Sequence, residues 1–258
     1  MARVAILYRN EADFGTVGAA DAVSTLPATF LQHPSLGNVW RTPAAVTSSA
    51  VTVDLGASRA IRCVALLACN LSAAGTARVK LSNVDTSSAE LYDSTLLDPA
   101  GVDAIYQSFV HVLPADVTAR YIRVELADSS LSHLEAGRLV AGALWTPDYN
   151  YGWDDIERGV VDDSPRELSI SGEAWVDARP SRRRVRFGLP WVSAAELATH
   201  LDAMGRLAGR KRDVMVILDS EAASVPQETY WGLMSEAPTA IGTGLRAFRQ
   251  SIEVITQR

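Results

Sequence analysis

Lysine is nearly absent from this chain. Lys80 and Lys211 are the only two, so the other 22 of its 24 basic residues are arginines. An alanine- and arginine-rich genome would give that bias. So would a need for desolvated contacts, because the planar guanidinium fork matches carboxylates and stacks on aromatic rings. The arginines do not make a polycation: Asp and Glu number 30, the net charge is −6, and neither side of residue 150 is basic. That balance argues against general or sequence-specific binding to nucleic acid. Cysteine is equally scarce. Cys63 and Cys69 fall on or beside one expected strand, where six residues span roughly 20 Å, beyond the ~7 Å Cα limit of a disulfide. Two buried thiols and folding in a reducing cytoplasm are expected. The four histidines, His33, His111, His133 and His200, have no metal-ligand spacing, and no Gly-x-Ser-x-Gly elbow is present. Neither a metal, a cofactor nor a catalytic group is expected, so the chain reads as a non-enzyme. No apolar run approaches the roughly 20 residues that span a bilayer, and the opening run to Tyr8 is too short for a signal peptide.

What the sequence does contain is strands. A chain of 258 residues with 48% hydrophobic content can build two cores. After an opening strand at 3–8 and loop-like residues 10–38, apolar segments recur at 51–55, 61–68, 77–82, 89–92, 105–112, 120–127 and 138–146. Turn residues separate them, which is the spacing of a sandwich or jelly roll. Val51, Val53 and Leu55 alternate with polar neighbours, as do Ile122, Val124 and Leu126. Residues 61–67 are apolar on both faces apart from Arg62, as in a central strand.

The pattern breaks at Thr146-Pro147, and residues 148–165 read as a junction. Beyond it lie strands at 167–176 and 182–189, a helix at 193–208, and strands at 213–218, 229–235 and 245–256. Ser193 and Glu196 have the capping-box spacing. Leu197, Leu201, Met204 and Ala208 form one stripe, and Gly209 is placed to end the helix ahead of Arg210-Lys211-Arg212. Gly242-Thr243-Gly244 precedes a strand, so it reads as a turn and not as a phosphate cradle.

Three constellations remain. Arg182, Arg184 and Arg186 share one strand face and are the candidate subunit interface. Asp154, Asp155, Glu157, Asp162 and Asp163 crowd the junction and read as solvated linker. Tyr149, Tyr151 and Trp153 are candidate domain-junction aromatics, whereas Trp40, Trp145, Trp175 and Trp231 are assigned to cores.

The segments Val39-Trp40-Arg41-Thr42, Val51-Thr52-Val53-Asp54-Leu55-Gly56, Ile61 to Leu67 and Arg120-Tyr121-Ile122-Arg123-Val124-Glu125-Leu126 together resemble the galactose-binding-like (discoidin, coagulation factor 5/8 C-type) family over residues 1–147. The resemblance implies a β-sandwich that binds and does not catalyse, with any glycan held by loops at one end and Trp40 kept for the core. The second region is similar to the sandwich-plus-helix module of tail-tube and distal-tail proteins of long-tailed bacteriophages. Its order of Arg182 to Pro190, helix, Asp213 to Asp219, Tyr230 to Met234 and Phe248 to Val254 carries that likeness. It implies a mainly β chain: a galactose-binding-like jelly roll at 1–147, a junction, and a tail-tube-like domain at 166–258 with one helix. The implied protein is a structural part of a tail tip, assembled in the host cytoplasm and located in the virion tail. It would form a homohexameric ring between the tail-tube protein and the hub or baseplate, with the sandwich turned to baseplate or host-surface glycan. The alternative from another class is a carbohydrate-binding protein or an accessory module of a glycan-degrading system.

Overall fold

The computed structural model describes residues 3–97, 107–152, 155–222, 224–244 and 247–256. The fold is mainly β with one helix, as expected. It divides into two compact units. The first is Met1–Thr146 together with Ile217–Thr229, and the second is Pro147–Val216 with Tyr230–Arg258. Residues 217–229, expected in the second domain, therefore belong to the first unit.

The first unit contains β1 (Ala5–Leu7), β2 (Thr16–Ala19), β3 (Trp40–Arg41), β4 (Ser48–Leu67), β5 (Thr76–Ser82), β6 (Tyr92–Asp93), β7 (Ser108–Ala127), β8 (Glu135–Ala136) and β9 (Arg138–Gly142). Segments expected as separate strands are continuous here: 51–55 and 61–68 merge in β4, and β7 runs through 120–127. These two strands pair antiparallel along their length, with register shifts between Asp54 and Arg59 and between Ile61 and Cys63. Bulges of this kind bend a strand. One half of the β4–β7 pair is flanked by β2 and β5, and β9 joins β4 over Cys63 to Leu67. Both halves send side chains to one buried cluster: Val51, Val53, Ile122 and Val124 from one, Val64, Leu66, Phe109 and Leu113 from the other. That is a sandwich core. Residues 63–67 are paired on both edges, to β7 and to β9, and Ile61 and Cys63 to Leu67 are buried whichever face they point to, so the segment is apolar on both faces. Trp40 is fully buried and donates Nε1–H to the Asp21 carbonyl at 2.9 Å.

The second unit contains β10 (Ile156–Val161), β11 (Arg166–Leu168), β12 (Ala174–Val176), β13 (Arg182–Ser193), a helix α1 over residues 194–207, β14 (Asp213–Ile217), β15 (Thr229–Met234), β16 (Ile241–Gly244) and β17 (Ala247–Thr256). Its sheet runs β14-β15-β17-β13-β10, with β16 added to β17. Three expectations need correcting. The 148–165 junction already holds β10, which is paired to β13. The strand expected at 167–176 is a tight hairpin, because Ser169-Ile170-Ser171-Gly172 closes a turn that pairs β11 with β12. Gly242 to Gly244 lies in a short strand paired to β17.

The helix is built as its sequence requires. Ser193 Oγ accepts the Glu196 N–H while the Glu196 carboxylate accepts the Ser193 N–H. Leu201, Met204 and Ala208 are buried. A single wider turn at Leu197–Leu201, closed by the Asp202 N–H on the Leu197 carbonyl, keeps the stripe continuous. Gly209 ends the helix in the left-handed region at φ +50°. Gly232 in β15 marks a close approach, since a Cβ there would sit 1.9 Å from the Ile255 carbonyl oxygen of β17.

Candidate functional site

Strand alternation sets up the first feature. In β3, Trp40 points into the core, so its neighbour Arg41 points out. Arg41 lies directly across from Glu135 of β8. Register alone therefore forms their fork, with Arg41 Nε and Nη2 reaching Glu135 Oε2 at 2.9 and 2.6 Å. His133 Nε2 stands 3.5 Å from the same oxygen. Asn70 fixes the loop beneath: its Nδ2 donates to the His133 carbonyl at 2.8 Å, and its Oδ1 accepts the Glu135 N–H at 2.9 Å. Arg41 keeps 40% of its side chain exposed and Glu135 keeps 26%.

The loops that carry these groups, 43–47, 68–75 and 128–135, gather at one end of the sandwich. The Ala45 N–H meets the Ser132 carbonyl, and Asp128 meets Thr47. Asp128 ties this end together, accepting the Ser72 N–H and both the N–H and hydroxyl of Ser130. Burial opposes its ionisation, but those hydrogen bonds outweigh it and bring its pKa down to about 2. Two alanines here, Ala45 (φ 65°) and Ala68 (φ 50°), hold left-handed backbone. Such strain costs about 1–3 kcal/mol each and collects at binding loops.

The same end opens into a cleft of about 390 Å³ lined by Asp21, Ser49, Thr76, Leu96, Arg123 and Glu125 among others. Ser49 Oγ donates to Asp21 at 3.0 Å. Glu125 accepts from Lys80 at 2.8 Å and from Arg123 at 2.7 Å. Burial resists the charge on Glu125, yet these two cations hold its pKa below the usual carboxylate value. Arg78 forks onto Asp93 at 2.8 and 2.5 Å and lowers it to about 2. The result is a fixed set of donors and acceptors beside open space, with Ala20, Ala50, Leu96 and Leu126 supplying apolar wall between them. It suits a ligand rich in hydroxyls, each of which both donates and accepts.

The residues singled out in the sequence lie elsewhere, in the second unit. Arg182, Arg184 and Arg186 do share a face of β13, and each meets a partner within the chain. Arg182 pairs with Asp163, Arg184 with Glu157 and with Glu253 at 3.5 Å, and Arg186 Nε reaches Ser251 Oγ at 3.5 Å. Two of the acids read as solvated linker, Glu157 and Asp163, are thus partners of the arginine row, whereas Asp155 faces Arg249 and Asp162 accepts the Ser164 N–H. Tyr149 packs against Trp191 with ring centroids 6.3 Å apart, and Tyr151 against Phe187 at 6.2 Å. Trp153 and Asp154 lie outside the described residues. Trp175, assigned to a core, is 76% exposed. It sits on the β11–β12 hairpin, where no second layer covers either face. Glu135, His133 and Asn70 were not found from the sequence. Glu135 is 94 residues from Arg41, and only the Trp-Arg pair gave a signal.

No family model matches the chain, and no curated protein does. Solved structures are similar over about half of it. Chitosan-binding module 1 from a chitosanase/glucanase of Paenibacillus sp. IK-5 is 19% identical, covers 52% of this chain and 99% of that one, and has a TM-score of 0.41. The lectin domain of lectinolysin complexed with Lewis B antigen is 18% identical, covers 52% and 95%, and has a TM-score of 0.40. CpGH89CBM32-5 from Clostridium perfringens, in complex with GalNAc-β-1,3-galactose, is 12% identical, covers 52% and 100%, and has a TM-score of 0.41.

Proposed function

We propose that the chain is a non-catalytic carbohydrate-binding component whose first unit holds a saccharide at its loop end. The observation that carries this reading is the half-exposed Arg41–Glu135 fork, shared with His133 and buttressed by Asn70. It is a rigid polar site with positioned donors and acceptors and no reacting pair of groups. Charge-assisted hydrogen bonds of this kind contribute about 1.5–3 kcal/mol each when a ligand takes them up. Arg41→Ala is therefore expected to weaken glycan binding at least tenfold, read by a glycan array and then by calorimetry on the best hit. Binding unchanged in Arg41→Ala and Glu135→Gln alike would remove the site from this end.

A second reading, a structural part of a phage tail tip bridging the tail tube and the hub, is favoured by a different observation. Hairpin β11–β12 leaves Leu168, Ile170, Trp175 and Val176 in solvent, as expected of a part that acquires its cover on assembly. On this reading the sandwich faces baseplate neighbours or host glycan. Immunogold labelling of purified virions from a producing host tests it: label at the tail tip supports it, and label absent from virions refutes it.

A further inference from the structure

The connection between β10 and β13 is an arm. Val161 and Arg182 are paired partners at the end of the sheet, and the intervening residues continue as a ladder that leaves it. The Arg179 N–H donates to Ser164 Oγ at 2.8 Å, the Asp177 N–H to the Pro165 carbonyl at 3.1 Å, and then β11 pairs with β12. About nine residues out from Val161 to the tip give a reach of roughly 30 Å. Every residue from 165 to 181 is exposed. A bare two-stranded hairpin is marginal in water, and this one presents Ile170 fully to solvent, with Leu168, Trp175 and Val176 each more than half exposed.

Charge indicates what covers it. Residues 162–181 hold five acids and two arginines, a net charge of −3, whereas the rest of the second unit holds twelve basic and nine acidic residues, a net of +3. The positive charge has a focus. Arg206 lies in the last turn of α1, and Arg210, Lys211 and Arg212 follow at once, folded back by the Lys211 and Arg212 N–H groups on the Ala208 carbonyl. All four are exposed around the partly exposed Leu207. Register puts Trp175 on the face of the arm that carries Glu167 and, by alternation, Glu173 and Asp177; this apolar group among acids has its counterpart, an apolar spot edged with cations, on the same unit.

We infer that the arm docks on the 206–212 patch of a second copy of this chain. Each copy then offers one arm and one patch, a head-to-tail contact that builds a closed ring or an open filament according to its rotation. The proposal does not depend on glycan binding and is read without sugar.

The test is the mass of the intact chain in solution by analytical ultracentrifugation. The wild type is expected at a multiple of 27.7 kDa, with tighter assembly at low salt because exposed charges are screened within about 8–10 Å at physiological salt. Reversing the arm (Glu167→Lys, Glu173→Lys, Asp177→Lys) or the patch (Arg206→Glu, Arg210→Glu, Lys211→Glu) should each give monomer. Combining both reversals should restore the oligomer. Ile170→Ser with Trp175→Ser, at exposed positions that leave the fold intact, should give monomer without any change of charge. A monomeric wild type at its highest soluble concentration would overturn the proposal. So would an oligomer indifferent to the arm, or a combined variant that stays monomeric.

Discussion

Arg138 is the largest fully buried charged side chain among the described residues of the first unit, and its carboxylate partner, which also accepts from Asn10 Nδ2 at 2.9 Å, can be removed by substitution. Its side chain is 1% exposed, with Nη1 and Nη2 on the two Asp13 oxygens at 2.6 and 2.8 Å and Nη1 also on the Gln32 carbonyl at 2.6 Å. Asp13 is 24% exposed. The pair fastens residues 10–15 to β9, helped by Asn10, which takes the Ala141 N–H and donates to the Leu139 carbonyl. Asp13→Ala strands a guanidinium in a dry site. Breaking a buried pair in this way costs about 3–5 kcal/mol, and at about 2–4 °C per kcal/mol for a unit of this size the melting point should fall by roughly 6–20 °C. Arg138→Met should cost less, because the carboxylate left behind reaches water. The double variant Asp13→Leu/Arg138→Met should be more stable than Asp13→Ala alone. Differential scanning calorimetry of the full chain gives all three values on the first unit's transition. If Asp13→Ala stays within about 1 kcal/mol of wild type, or Arg138→Met proves the more damaging, the desolvation argument is wrong.

Arg41→Ala, by contrast, should leave stability nearly untouched, a change below about 1 kcal/mol in urea unfolding, since half-exposed ion pairs contribute little. Gly232→Ala should abolish soluble expression or unfold the second unit, because its Cβ would overlap the Ile255 carbonyl and overpacking of backbone costs more than the usual ~1–3 kcal/mol. Asp128 has a folded pKa near 2, below its ordinary 3.8. Its stabilisation is therefore complete above about pH 4 and lost as pH falls toward 2. The stability gap between wild type and Asp128→Asn should shrink across that window in acid-unfolding curves. Burial pushes the Cys63 thiol up to about 12 and the Cys69 thiol up to about 11. Both should resist a thiol reagent at pH 8 until denaturant is added, and prompt labelling of the native chain would contradict their burial.

The elements with strong local signals were legible. Alternation in Val51-Val53-Leu55 and Ile122-Val124-Leu126 marks the core face, and the Ser193–Glu196 box with Gly209 bounds the helix to within a residue or two. What was not legible depends on pairing at a distance. The bend that joins two expected segments into β4 is set by its bulged register against β7; Gly56, at φ +72° inside the shift, marks the place, but reads in sequence as a turn between two strands and not as a bulge within one. Trp175 has the composition of a core residue in a strand. Its exposure follows from the turn at Ser169 to Gly172, which folds the strand onto itself and away from any second layer. The loop-end site depends on Arg41 meeting Glu135, a consequence of β3–β8 register that no local spacing carries.

The arginine bias gains a physical account from the same pairings. Arg78 with Asp93, Arg120 with Asp54, Arg138 with Asp13 and Arg182 with Asp163 each use two nitrogens of one guanidinium, and each tie joins separate strands or a strand to a loop. A lysine in any of these places would supply a point charge without the planar fork. In sheets the difference matters, because a one-residue slip sends every side chain to the opposite face and would part all such forks at once. They therefore act as register pins. Arg184 lies diagonal to Glu157 across β10 and β13, and Arg182 reaches Asp163 just past the end of β10, so two of the three arginines of the candidate subunit interface hold the root of the arm. On the docking proposed above, their influence on assembly would pass through the arm's anchorage, while the 206–212 patch would supply the cations that meet its tip.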